Sequence, residues 1–278
     1  MGQERIIHAA LLGAGTVGSG VYKLVKDLEE EIISKTGARL VVDKILVRDT
    51  TKAREGIPSE LLIDRWDEIL NDPQIEIVIE VMGGIRPALT WLEEALRAGK
   101  QVVTANKDLL AEYGEQLFDA AEAGKCDLHF EAAVAGAIPI IRPLRQSLVA
   151  SELTEVMGIV NGTTNYILTR MTEDGMGYEE ALALATKLGY AESDPTADVE
   201  GYDAGRKVAI MASIAFNSNV TFSQVYTEGI THITAEDIRY AKEFGYVIKL
   251  IGMTRLTEGG VEVKVHPMLL PEQHPLST

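Results

Sequence analysis

Three glycines, Gly13, Gly15 and Gly18, follow the apolar run at the start of IIHAALLGAGTVGS and make the pattern G-x-G-x-x-G. Glycine at the first position permits a tight strand-to-helix turn. At the second it lets backbone approach a pyrophosphate without a Cβ in the way, and at the third it lets a helix pack close on the strand. The helix start that follows would present the N–H groups of Thr16, Val17 and Gly18, at the positive end of the helix dipole, to phosphate oxygens. The chemistry implied is dinucleotide binding. A second set of reactive groups lies in E-G-Y-D-A-G-R-K, where Asp203 and Lys207 are four residues apart and hence neighbours on one helical face. Such pairs are commonly surface ion pairs, but this helix runs on into the apolar stretch VAIMASIAF, which sets the pair beside a buried segment. Upstream, Glu192, Ser193, Asp194 and Asp198 cluster in a loop with Pro195, and the three carboxylates among them suit an ammonium group.

The elements that must position these residues follow from periodicity. After the glycine turn, VYKLVKDLEEEI has the pattern of an amphipathic helix, and residues 39–47 form a second strand candidate ending at Arg48 and Asp49. That end should meet the adenosine ribose, where an acid bonds the 2′-hydroxyl and an arginine accommodates a 2′-phosphate. Arg48 comes first, which favours NADP and leaves NAD open. Residues 59–70 look helical, and 75–82 form a near-continuous apolar strand of the type buried in parallel sheets. Helices over 87–98 and 108–123 and strands over 101–104 and 128–130 complete an alternation that means a doubly wound parallel sheet. Such sheets bind ligands beyond the C-terminal ends of their strands, where Gly83, Gly84, Asn106, Lys107 and Glu131 all fall.

The alternation ceases after Gly136. A proline-containing helix over 138–148, a strand over 153–160, helices over 163–171, 178–188 and 199–216, and antiparallel strands over 245–254 and 260–266 indicate an α+β second domain. The expected organisation is α/β, with a Rossmann-type dinucleotide-binding domain over 1–136 and a substrate-binding, catalytic and dimerisation domain over 137–278. The formal net charge of −16 argues against nucleic acid, which binds basic surfaces. One cysteine, Cys126, allows no internal disulfide and suits a reducing cytoplasm. No run approaches the length of a membrane span, and MGQERIIHAALLG lacks the order of a secretion signal.

Together these segments resemble the homoserine dehydrogenases, which interconvert aspartate 4-semialdehyde and homoserine with NAD(P)H. The similarity is carried by GAGTVGSGV at 13–21, TANK at 104–107, FEAAVAGAIPII at 130–141, GIVNGTTNYIL at 158–168, AESDPTADVEGYDAGRK at 191–207 and VHP at 265–267. The GTTNYIL and D-V-E-G-x-D-x-x-x-K segments are much more specific than the glycine pattern. The resemblance implies that Lys207 gives the proton to the aldehyde oxygen, with Asp203 its helical neighbour and Glu192 and Asp198 near the substrate. It makes Lys107 a second active-site lysine, close to nicotinamide and substrate, and Gly162 a backbone contact to cofactor. It also implies a monovalent cation site, with sodium the expected ion, formed by Glu131 and the main-chain oxygens of Val134, Gly136 and Ile138. Carbonyls with one carboxylate suit a hard cation of low charge. A homodimer built through the second domain is implied as well.

On this view hydride passes to the aldehyde carbon while a lysine protonates the developing alkoxide, so charge does not accumulate on oxygen. Members of the family continue past V-H-P into a glycine-rich stretch and a final helix, and many add a regulatory ACT domain. This sequence ends in HPLST, so the expectation is of a chain lacking both. Two other readings compete: a thiol-dependent semialdehyde dehydrogenase, for which Cys126 is the only candidate nucleophile, and an NADP-binding regulator descended from a dehydrogenase.

Overall fold

In the first strand, β1 (Arg5–Leu12), Ala9 to Leu12 are fully buried in sequence, as happens only where both faces of a sheet are covered. The computed structural model describes residues 5–277. The chain divides into two compact units, Met1–Ala137 and Ile138–Thr278.

The first unit continues with α1 (Thr16–Asp27), α2 (Glu29–Thr36), β2 (Ala38–Leu46), β3 (Leu62–Ile63), α3 (Asp67–Leu70), β4 (Ile75–Glu80), α4 (Ala88–Arg97), β5 (Gln101–Thr104), α5 (Lys107–Gly124) and β6 (Leu128–His129). Its sheet has the order β3-β2-β1-β4-β5-β6, and every pairing is parallel. The order reverses beside β1, so the loops after β1 and β4 open a crevice at the strands' C-terminal ends. Helices α4 and α5 contact one another and bury Leu89, Leu92, Leu96, Leu109 and Leu117. One expectation fails here. Residues 59–70 are not one helix but a 3₁₀ turn (Ser59–Leu61), the edge strand β3 and the single turn α3. Leu62 is buried against the cluster of Leu11, Val42 and Ile45, and pairing with β2 outweighs helical periodicity over so short a stretch.

The second unit comprises β7 (Glu155–Gly158), α6 (Gly162–Asp174), α7 (Tyr178–Lys187), α8 (Thr196–Val199), α9 (Tyr202–Ala215), β8 (Tyr226–Thr227), α10 (Ala235–Glu243), β9 (Tyr246–Thr257) and β10 (Gly260–Pro271). Its sheet has the order β7-β9-β10-β8; β9 is antiparallel to β7 and β10, and β8 runs parallel to β10. Helices α6, α9 and α10 all contact β9. The long hairpin extends further than its apolar pattern foretold, with Thr257 opposite Gly260 at the turn. The helix expected over 199–216 is broken: Gly201 takes φ +78° and separates α8 from α9. A Cβ at Gly201 would stand 3.1 Å from Thr227 Cγ2, so the break lets the chain pass close to β8. The helix expected over 138–148 is reduced to a turn of π-helix at Pro143–Ser147, bounded by the proline that cannot continue a regular ladder. No helix among the described residues is long and apolar enough to cross a membrane.

Candidate functional site

Each unit carries its own constellation. In the first, the glycine turn has the geometry its pattern requires. Gly13 takes φ +102° and donates its N–H to Leu46 O at 3.0 Å. A Cβ at Gly18 would stand 2.1 Å from the Gly13 carbonyl oxygen, so only glycine lets α1 start this close to the turn. At Gly15 a Cβ would meet nothing within 4 Å, leaving open space over the backbone where a phosphate would lie. Gly15 is the N-cap of α1 and supplies no side-chain acceptor, so the first-turn N–H groups of Thr16, Val17 and Gly18 have no capping side chain.

At the end of β2 the structure separates the two ribose candidates. Asp49 Oδ1 accepts from Thr51 N at 2.9 Å and from Thr51 Oγ1 at 2.7 Å, a local turn that holds the carboxyl below its ordinary range. Arg48 is exposed. One oxygen of the acid is therefore engaged in its own loop.

Beyond β4, Gly83 and Gly84 take φ +72° and +74° in succession, a conformation two side-chain-bearing residues would resist. Beyond β5, Asn106 Oδ1 accepts Leu109 N–H at 3.1 Å and so caps α5, while its Nδ2 donates to Gly84 O at 2.6 Å. Lys107, half-buried, is the first residue of that helix. One side chain thus joins the double-glycine loop to the start of the helix that bears the lysine. Glu131 opens a 3₁₀ turn (Glu131–Ala133), followed by buried Val134, exposed Gly136 and left-handed Ala135 and Ala137 at φ +49° and +68°. Ile138, exposed, is the first residue of the second unit. Two left-handed alanines cost energy that compact loops retain mainly at ligand sites. No three His, Cys, Asp or Glu side chains converge among the described residues, so a cation here would draw chiefly on main-chain oxygens.

In the second unit the turn between β7 and α6 meets the first turn of α9. Lys207 Nζ donates to Asp203 Oδ2 at 2.6 Å and to Val160 O at 2.9 Å. Asn161, the N-cap of α6, uses both hydrogens of Nδ2, one to Asp203 Oδ2 at 3.0 Å and one to Asp198 Oδ1 at 2.7 Å. Its Oδ1 accepts from Thr164 N and Thr164 Oγ1, both at 2.9 Å. Asp203 and Asn161 are buried, while Lys207 remains partly open. Four residues from three segments thus form one network, with Asn161 as the joint that sequence reasoning passed over. Glu192 is exposed in the preceding loop and makes no hydrogen bond to this network. Gly162, exposed at the first position of α6, has nothing within 4 Å of where a Cβ would stand.

Cys126 is not poised as a nucleophile. Its thiol points at Leu96 O, 3.2 Å away, and burial pushes its pKa up, with the Asp127 charge adding to the effect.

Known proteins match both units of the chain. The family model described as homoserine dehydrogenase, NAD binding domain, matches residues 13–131, and the model described as homoserine dehydrogenase matches residues 139–278. A homoserine dehydrogenase of Bacillus subtilis is 47% identical over 274 residues, covering 98% of this chain and 63% of the relative. That of Corynebacterium glutamicum is 48% identical, covering 100% and 63%. A solved homoserine dehydrogenase from Thiobacillus denitrificans superposes with a TM-score of 0.92 at 44% identity, covering 99% of this chain and 64% of that one. The chain therefore spans a little under two thirds of the length of these relatives. With both units matched and nearly half of its residues identical to those of curated relatives, the chain belongs to the homoserine dehydrogenase family.

Proposed function

We propose that this chain interconverts L-aspartate 4-semialdehyde and L-homoserine with a nicotinamide dinucleotide, in the synthesis of threonine, methionine and isoleucine in the cytoplasm. The observation that carries this is the Lys207–Asp203–Asn161–Asp198 network. Val160 O and Asp203 Oδ2 take two of the three Nζ hydrogens of Lys207, so the third is left for a substrate oxygen. Asp203, fixed by Asn161, aims the lysine; the lysine protonates the aldehyde oxygen in reduction and recovers the proton in oxidation. The bound dinucleotide supplies or accepts the hydride. Asp198 and exposed Glu192 hold the substrate ammonium. Lys107, set by the Asn106 cap, is the second active-site lysine, and Gly162 gives the cofactor a backbone contact.

NADP is the preferred dinucleotide, with NAD the weaker one, because Asp49 is engaged by Thr51 while Arg48 is exposed. The oxygens of Glu131, Val134, Gly136 and Ile138 hold a monovalent cation, sodium, which the left-handed alanines at 135 and 137 favour by fixing the loop. The protein is a homodimer assembled through its second unit. The test is homoserine-dependent reduction of NADP and of NAD, measured side by side on this chain with and without sodium. Turnover with NADP exceeding that with NAD is expected. No homoserine-dependent reduction of either dinucleotide would withdraw the proposal.

A further inference from the structure

A fully buried carboxylate lies under the strand ends of the first unit, in a position that the reaction described above does not use. Glu80, the last residue of β4, is 0% exposed and meets no cation among the described residues. Its Oε1 accepts the N–H groups of Met82 at 2.8 Å and Gly83 at 3.1 Å, and its Oε2 accepts from Thr104 Oγ1 at 2.6 Å. Thr104 Oγ1 in turn accepts Asn106 N–H at 3.0 Å. Asn106 closes the circuit through its 2.6 Å bond to Gly84 O and its cap on α5. Three donors, the Met82 and Gly83 N–H groups and the Thr104 hydroxyl, point at Glu80, which suits a carboxylate, whose oxygens only accept, and not an amide. Burying a charged group without a counter-ion is costly, and is tolerated where hydrogen bonds replace its water.

We propose that Glu80 is a positioning residue for dinucleotide binding. By accepting from both loops at once, it fixes the left-handed Gly83–Gly84 turn against the Asn106 cap, and through that cap it fixes the point from which Lys107 projects. The proposal rests on the reading of this strand edge as a nicotinamide dinucleotide site, and not on the identity of the second substrate.

Two variants remove the charged hydrogen bond between Thr104 and Glu80 from opposite sides. In Glu80→Gln the amide oxygen still accepts from Met82 and Gly83, but the amide nitrogen can only donate to the second lone pair of the Thr104 hydroxyl, so the charged bond is lost and the hydroxyl hydrogen loses its acceptor. Thr104→Val removes the hydroxyl, while Thr104→Ser keeps it. NADPH dissociation constants are measured by fluorescence titration on the whole chain. Each of the first two variants is expected to weaken binding about tenfold, the effect of losing a hydrogen bond to a charged group. The double variant should be no weaker than the worse single one, because Thr104→Val already removes the bond that Glu80→Gln alters, together with the one from Asn106 N–H. Thr104→Ser should bind within about twofold of wild type, a rescue that loss of core packing alone would not give. In turnover assays the dinucleotide KM should rise by a larger factor than kcat falls.

Wild-type affinity in both Glu80→Gln and Thr104→Val, losses that multiply in the double variant, or a wild-type chain that binds neither NADPH nor NADH would overturn the proposal. If Glu80→Gln does not fold, Thr104→Val against Thr104→Ser decides by the same criteria. A wild-type chain that fails to oxidise homoserine, while the affinities follow the expected pattern, removes the substrate assignment and supports the role of Glu80.

Discussion

Lys207 bears most of the chemistry proposed here, and its surroundings say what its loss should do. Its amine is held by one carboxylate and one carbonyl of the second unit and lies outside the glycine turn. Lys207→Met should therefore keep the fold and NADP affinity while turnover falls by about 10²- to 10⁴-fold, the usual contribution of a positioned acid or base. Glu192→Gln should instead raise mainly KM, since an exposed carboxylate binding the ammonium acts alike on ground and transition states. Steady-state kinetics separate the two signatures, and a Lys207→Met protein turning over within a few-fold of wild type would make Lys107 the leading donor. At the other end of the cofactor, Arg48→Ala should weaken NADP and spare NAD; an unchanged ratio of the two dissociation constants would show that Arg48 does not read a 2′-phosphate. The pairing of Lys207 with Asp203 was legible because four residues on a helix make one face. Asn161 was not, because its carboxylate partners lie 37 and 42 residues away and no local pattern announces a contact of that range.

At the scale of the element, two glycines of one turn should respond in opposite ways to the same substitution. A Cβ at Gly18 would press on the backbone carbonyl of Gly13, which no rotamer change can relieve, so Gly18→Ala should destabilise the first unit by about 1–3 kcal/mol. A Cβ at Gly15 would meet open space, so Gly15→Ala should melt like wild type and yet bind NADP weakly, because the methyl group occupies the place of the phosphate. Thermal unfolding paired with a binding titration reads both; equal melting temperatures with equal affinities would remove the assignment of this turn. Strands buried on both faces, such as β1 and β4, announce themselves as apolar runs, and β5 lay where its four residues were read. Short edge strands do not, because β3 and β8 offer two residues each and owe their conformation to a neighbour distant in sequence. Helix α10 was also passed over, although Thr234 and Asp237 form a reciprocal cap at its start, a signal present in the sequence as T-A-E-D. The break between α8 and α9 is different in kind. Gly201 sits inside a helical pattern, and only the approach of β8 explains why the chain turns there.

At the scale of the whole molecule, the second unit leaves apolar side chains in solvent. Phe244 is 76% exposed and Leu269 57%, and they line one open groove with Ile233, Tyr240, Tyr246 and Met268. A contiguous apolar face of this kind is what a subunit interface buries. A homodimer assembled through this unit is accordingly expected at micromolar concentration, and light scattering coupled to size exclusion should give a mass twice that of the 30.3 kDa chain. Because association is governed by mass action, the melting temperature should rise with protein concentration if the two copies stabilise each other. A monomer at every concentration, with a melting temperature independent of dilution, would show that this unit does not assemble in the chain as it stands. Homoserine oxidation by that same monomer would further show that the Lys207 network works without a second copy.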